Sequence, residues 1–391
     1  MFYELAASNW DQEELDAIAR VIKSGQFTQA DEVRKFEEQF AAWHGSRYAI
    51  MVNSGSSANL VAVAALFYVS KRPLQRGDEV IVPAISWATT YHPLQQYGLK
   101  LRFVDVEIDS VNMDVSQLEA ALTPQTRAIV AVSILGNPAK LDVIRAFADR
   151  HGLHLIEDNC ESLGARLPDG KLAGTFGHLN TFSFFFSHHI STMEGGMVLT
   201  DNEELSHLVR SMRAHGWTRD LGGNSPIYEP RPDGFFEAYR FILPGYNVRS
   251  TEMSGAIGQV QLRKLPAMIE QRRKNLALFE KFFGADSRFI IQKQYGQSSS
   301  FCFPIVLTST DPDLRGRVFE ALKMHDIGYR IVTGGCFTRH DVIHHYKYDT
   351  VGKLPNANRI HDFGFFIGNH PTDLTRQIET AHSAITGALG N

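Results

Sequence analysis

Short apolar runs alternate with amphipathic stretches from residue 47 to residue 200, and this alternation constrains the fold more than any other feature. The runs at 47–52, 79–83, 101–106, 127–133 and 154–157 are rich in Val, Ile, Leu and Ala. Between them, 58–68, 89–96, 115–121 and 141–151 carry apolar residues at helical spacing. Strands separated by helices must return to the same end of a sheet before each new strand begins. The pattern therefore predicts an α/β domain, a mostly parallel sheet covered by helices. Runs at 183–186 and 197–200 predict two further strands.

Upstream, 11–24 and 30–43 read as amphipathic helices. The first would bury Leu15, Ile18, Val21 and Ile22, the second Val33, Phe36, Phe40 and Trp43. The Gly-, Pro- and Asn-rich stretch 222–234 reads as a surface loop. A helix over 251–281, bent or broken at Pro266, follows. The expected organisation is a large domain over 1–250, a linking helical region over 251–288, and a smaller C-terminal α+β domain over 289–391.

Composition narrows the function. The 391 residues carry a formal net charge of −4 at pH 7, which offers no polyanion-binding surface, so nucleic acid is not an expected partner. No apolar run is long enough to span a bilayer, and the N-terminus lacks a charged-then-apolar signal, so no membrane is expected either. The three cysteines, Cys160, Cys302 and Cys336, lie far apart and are too few for a four-thiolate iron–sulfur cluster. Such cysteine usage suits a reducing cytoplasm. His340 and His344 would share a helical face beside His345, but without a convincing further ligand no metal is expected.

Four segments carry candidate chemistry. Asn53-Ser54-Gly55-Ser56-Ser57-Ala58 joins a strand to a helix. Consecutive N–H groups among small residues at a helix start make an anion pocket, with helix capping by Ser56 as the plainer alternative. Ile156-Glu157-Asp158-Asn159-Cys160-Glu161-Ser162 ends a strand at the edge where open α/β sheets bind ligands. A carboxylate there can pair with a protonated pyridine nitrogen, or merely cap a turn. The strand over 181–187 leads into His188, which can move protons, and Trp87 can stack on a ring; structural roles stay open for both. In Pro244-Gly245-Tyr246-Asn247-Val248-Arg249-Ser250, Asn247 can donate to phosphate and Arg249 can grip a carboxylate, or both can belong to a surface turn.

In this order and spacing the segments resemble the DegT/DnrJ/EryC1/StrS family of sugar aminotransferases. The resemblance covers nearly the whole chain, from Ser24-Gly25-Gln26-Phe27-Thr28 through Gly77-Asp78-Glu79-Val80-Ile81-Val82-Pro83 to the end. It implies an aspartate aminotransferase-like fold (pyridoxal phosphate fold type I) and a homodimer with shared active sites. It assigns Gly55, Ser56, Ser57 and Ser183 to the cofactor phosphate, with Asn247 crossing to the neighbouring subunit's site. Trp87 would stack on the ring, Asp158 would contact its nitrogen, and Glu161, where the family usually has glutamine, would lie near its hydroxyl. Family members hold pyridoxal phosphate covalently on a lysine. Here His188 takes that slot, in Phe185-Phe186-Ser187-His188-His189-Ile190-Ser191-Thr192-Met193-Glu194-Gly195-Gly196, and no lysine occurs from 172 to 263. This variant, with Arg213-Ala214-His215-Gly216-Trp217-Thr218-Arg219, resembles a dehydratase branch of the family.

That branch implies loss of the C3 hydroxyl from a nucleotide-linked 4-keto-6-deoxy sugar, GDP-4-keto-6-deoxy-D-mannose, in the colitose route of lipopolysaccharide O-antigen synthesis. Untethered pyridoxamine phosphate would supply the amine, with L-glutamate regenerating it and 2-oxoglutarate leaving. His188 is the expected acid and base, with an ordinary pKa of ~6.5. Arg249 is the candidate for the amino-acid carboxylate, and Trp10, Phe27, His215, Arg219 and Arg330 for sugar or diphosphate. Two alternatives stand: an aminotransferase that leaves the amine on its product, and a catalytically silent cofactor-binding protein. The presence of Asp158, Asn247 and Arg249 argues against the second.

Overall fold

Twelve strands form among the residues 2–390 that this computed structural model describes. In chain order they are β1 (Tyr48–Val52), β2 (Glu79–Pro83), β3 (Lys100–Val104), β4 (Thr126–Val132), β5 (His154–Asp158), β6 (Leu179–Ser183), β7 (Gly196–Thr200), β8 (Phe289–Ile291), β9 (Cys302–Leu307), β10 (Tyr329–Ile331), β11 (Tyr348–Thr350) and β12 (Gly364–Gly368). The larger sheet runs β1-β7-β6-β5-β4-β2-β3-β11, parallel throughout except at the two pairs made by β7. The smaller sheet, β10-β12-β9-β8, is antiparallel.

The central strands are apolar on both faces because helices cover both. Along β2, Val80 and Val82 point into one core cluster while Ile81 points into another, as the two-residue period requires. Parallel pairing then lines up the C-terminal ends of β4, β5 and β6, so Val132, Asp158 and Ser183 finish along one edge. That edge carries the site.

Helix α1 (Gln12–Ser24) buries only part of the expected face, Val21 fully and Ile18 by half. It packs on the long helix Glu252–Phe283 with Glu14, Ala17 and Val21 buried, and leaves Leu15 and Ile22 52% and 59% exposed. The cause is polar. Gln261 donates to Glu14 Oε1 at 2.7 Å, and Lys264 reaches both carboxylate oxygens at 2.9 Å. α2 (Asp31–His44) buries Val33, Phe36 and Phe40 as its pattern predicts. The long helix continues through Pro266 rather than breaking. The ring forfeits one backbone hydrogen bond, and the buried neighbours Leu262, Leu265 and Ile269 hold the helix across the gap.

Two local expectations shift. The segment 115–121 forms a 3-10 turn, Val115–Gln117, and a short α turn, Leu118–Ala121. The strand expected at 183–186 lies earlier, as β6. Beyond it the chain doubles back: the Phe184 N–H donates to the Gly195 carbonyl at 2.8 Å and the Thr192 N–H to the Phe184 carbonyl at 3.0 Å. His188 therefore sits in a turn past the strand rather than at its end, with its own N–H on the Phe185 carbonyl at 2.9 Å. No helix among the described residues is long and apolar enough to cross a membrane.

Candidate active site

A cavity of about 540 Å³ opens at the edge where β4, β5 and β6 end. Its floor includes the start of α3 (Gly55–Leu66). Ser54, not Ser56, caps that helix: its Oγ accepts the Ser57 N–H at 3.0 Å. Ser57 also donates its hydroxyl to Asn53 Oδ1 at 2.6 Å and stands off the cavity, whereas Gly55 and Ser56 line it. The turn is held tightly. A Cβ on Gly55 would lie 2.5 Å from Ser183 Cβ, and one on Gly196 would lie 2.3 Å from the Ser54 carbonyl oxygen. Glycine at both positions lets β6 and β7 pass close behind the first turn of α3, at the positive end of a helix dipole.

β1, which feeds this turn, is pinned from behind. Buried Glu37 accepts the Met51 N–H at 2.8 Å and the Arg213 guanidinium at 2.6 Å, and Arg213 also donates to the Met51 carbonyl at 2.9 Å. The Asn53 N–H donates to the Val248 carbonyl at 2.9 Å, tying the turn to the segment bearing Asn247 and Arg249.

Asp158 ends β5 on the cavity wall. Asn59 and Thr90 both donate to its Oδ2, at 2.8 and 2.9 Å, and the Cys160 N–H donates to Oδ1 at 3.1 Å. Three donors fix the carboxylate's direction. Sequence reasoning missed Asn59 and Thr90. The available signal was a polar residue at a buried position near the start of each of two helices. Trp87, before α4 (Ala88–Gln96), lines the same cavity; the residue is 59% exposed, with no ring packed on its indole among the described residues.

His188 lines the cavity too, its ring edge-on to Phe301 at 5.2 Å. Burial, reinforced by the nearby charge of Arg272, pushes it down to about 4, not the ordinary value expected from sequence. The imidazole is thus neutral at neutral pH. Its neighbour His189 turns away, with Nε2 3.2 Å from the Ser299 carbonyl. Glu161 moves the other way: burial pushes it up to about 7, opposed by the Leu135 N–H and helped by Asp158. No lysine lines the cavity among the described residues. Lys140 pairs with Glu107 and Lys171 with Asp169.

Arg330, from β10, also reaches the cavity. The remaining candidates do not line it. Asn247 is exposed and Arg249 half-buried. Trp10 donates its indole N–H to the Ser191 carbonyl at 3.1 Å, near the His188 turn. Phe27 is exposed, His215 is exposed on left-handed backbone, and Arg219 lies over the Trp217 ring at 5.0 Å.

Residues 8–385 match the sequence profile of the DegT/DnrJ/EryC1/StrS aminotransferase family. The chain belongs to this family. One DegT/DnrJ/EryC1/StrS relative is the GDP-4-keto-6-deoxy-D-mannose 3-dehydratase of Yersinia pseudotuberculosis, 48% identical over 379 residues and 96% covered on both sides. A solved structure of a GDP-4-keto-6-deoxymannose-3-dehydratase with a trapped PLP-glutamate geminal diamine superposes with a TM-score of 0.96 at 44% identity, covering 98% of this chain and 100% of that one. The Escherichia coli GDP-4-keto-6-deoxy-D-mannose-3-dehydratase with bound hydrated PLP gives a TM-score of 0.95 at 44% identity, covering 98% and 99%. The aspartate aminotransferase-like α/β fold expected for the family is the fold found.

Proposed function

We propose that this chain is a dehydratase that removes the C3 hydroxyl of GDP-4-keto-6-deoxy-D-mannose, using pyridoxamine phosphate renewed by L-glutamate as 2-oxoglutarate leaves. A neutral imidazole at position 188, in a cavity lined by no lysine among the described residues, carries this assignment. The fit to the cofactor is chemical. Gly55, Ser56 and Ser183 surround a helix start suited to phosphate, with Ser57 behind it. Asp158 offers a fixed carboxylate to a pyridinium nitrogen, and Trp87 offers a bare indole face to the ring.

When bound, the cofactor supplies an amine that condenses with the C4 ketone and a ring that draws off electrons. The chain's own part is binding, orientation and proton movement. The Nδ1 of His188 lies 3.4 Å from Ser187 Oγ, so Nε2 is the nitrogen left to work in the cavity. As a neutral base it takes a proton; as the resulting acid it returns that proton to the departing C3 oxygen. Such assistance is worth roughly 10²–10⁴ in rate. A low starting pKa favours the base role first and makes the protonated form a strong donor.

The working unit is a homodimer with shared sites. Asn247 and Arg249 stand outside their own protomer's cavity, and Leu15, Ile22 and Phe27 present apolar side chains that a second copy would cover. Arg249 is assigned to the amino-acid carboxylate, and Trp10, Phe27, His215, Arg219 and Arg330 to sugar or diphosphate. Residues 1–250 carry the cofactor, 251–288 form the link, and 289–391 contribute Arg330 and Thr333. The enzyme works in the cytoplasm, without membrane or nucleic acid. Mixing protein, pyridoxal phosphate, L-glutamate and the GDP-linked keto sugar should release ammonia with a 3-deoxy-4-keto sugar, and the CDP-linked sugar should react poorly. A stable amino sugar without ammonia would refute dehydration.

A further inference from the structure

Two polar side chains stand behind Asp158 and take no part in the cavity wall. Thr181 of β6 lies in register with Asp158 of β5, and Asn59 of α3 bonds to both. All three are buried, Thr181 completely. A hydroxyl in a buried strand gains nothing in packing that valine would not give, and it costs free energy unless it is hydrogen-bonded. Its bond here has a definite sense. Thr181 Oγ1 donates to Asn59 Oδ1 at 2.6 Å, and Asn59 Nδ2 donates to Asp158 Oδ2 at 2.8 Å. The other acceptor near the Thr181 hydroxyl, the Glu157 carbonyl, stands at 3.5 Å.

A primary amide has nearly the same shape when turned over, but its two ends are chemically opposite. Turned over, Asn59 would aim Oδ1 at Asp158, acceptor against acceptor, and Oδ2 would keep only its second donor, Thr90 at 2.9 Å. Thr90 is itself held by Ser86, Oγ1 to Oγ, at 2.7 Å. With the Thr90 proton spent on Asp158, Ser86 is the donor in that pair. Both arms therefore run one way and end on Oδ2. Oδ1 takes the Cys160 N–H at 3.1 Å and keeps a lone pair for the cavity. Granted the cofactor reading above, we propose that Thr181 is a positioning residue: its hydroxyl sets which way the Asn59 amide faces, and that amide holds Asp158 toward the ring nitrogen of bound pyridoxal phosphate. Thr181 does not line the cavity, so its effect on a ligand passes through Asn59.

Thr181→Val keeps the branched shape and removes the hydroxyl, whereas Thr181→Ser keeps the hydroxyl. The probes are pyridoxal phosphate and its deaza analogue, in which a C–H replaces the ring nitrogen. Wild type should prefer pyridoxal phosphate. Thr181→Val should bind pyridoxal phosphate at least about fivefold more weakly, yet bind the analogue within about twofold of wild type, because the analogue has no ring nitrogen for Asp158 to hold. Thr181→Ser should match wild type on both probes within about twofold. In an Asn59→Ala background, adding Thr181→Val should change affinity for pyridoxal phosphate by less than about twofold, since the amide that carries its effect is gone. Should Thr181→Val fail to fold, Thr181→Ala carries the same comparison. Equal weakening of both probes, unchanged affinity for pyridoxal phosphate, or an undiminished effect in the Asn59→Ala background overturns the proposal. Wild type binding the two probes equally takes Asp158 off the ring nitrogen, so the cofactor reading fails and the proposal with it.

Discussion

Gly55→Ala adds a single methyl group where β6 passes the start of α3. That Cβ would stand 2.5 Å from Ser183 Cβ, 2.9 Å from its Oγ and 3.0 Å from Cys160 Sγ. Carbon atoms settle at about 3.5–4.0 Å, so Ser183 must retreat by about 1 Å or α3 must lift. Overpacking of this kind costs about 1–3 kcal/mol, and the better helix propensity of alanine offsets at most about 1 kcal/mol. A net loss of about 1–2 kcal/mol is expected in thermal melting of the cofactor-free protein. Binding should suffer more. Displacing Ser183 and the α3 N–H groups removes charge-assisted hydrogen bonds worth about 1.5–3 kcal/mol each, so affinity for pyridoxal phosphate should fall at least about tenfold. Adding Ser183→Gly removes two of the three crowding atoms. Stability should then recover, with a coupling of about 1 kcal/mol or more, while affinity stays low because the hydroxyl is gone. Wild-type melting and wild-type affinity in Gly55→Ala would show that close approach at this turn does not shape the phosphate cradle.

Three further outcomes are expected. His188→Lys should tether pyridoxal phosphate covalently, giving a mass adduct after borohydride reduction that wild type lacks, and should lose dehydration by roughly 10²-fold or more; retained dehydration would remove His188 from its role. Folding lowers His188 from 6.5 to about 4, so the unfolded chain takes up this proton first as pH falls. The site's contribution to stability is complete above 6.5 and is lost on descent to about 4, and His188→Asn should flatten that part of the melting-temperature profile. Glu37→Ala leaves fully buried Arg213 without its carboxylate and should cost about 3–5 kcal/mol in a denaturant titration; a midpoint near wild type would show the pair to be dispensable.

Legibility in the sequence followed the range of the interactions. β2 and β5 were readable because apolar runs report burial on both faces, and α2 because Val33, Phe36 and Phe40 recur at helical spacing. The turn at Gly55 and the histidine in place of lysine were readable as residue identities. The α1 interface was not: Gln261 and Lys264 bury Glu14 from a helix remote in sequence, and apolar periodicity carries no trace of such partners. β6 was misplaced because the run of phenylalanines continues past Ser183 into a turn that doubles back on Gly195.

By itself, the order of residues determined a parallel α/β sheet, the family, and the absence of a lysine beside the presence of an imidazole. Tertiary structure decided what those groups are. Asp158 is aimed by Asn59 and Thr90, which lie far from it along the chain. His188 is neutral and Glu161 is poised near 7 because burial and distant charges set the energy of an ionised group. Neighbours along the chain govern periodicity and turns, whereas solvent exclusion and electric field depend on everything folded around a site.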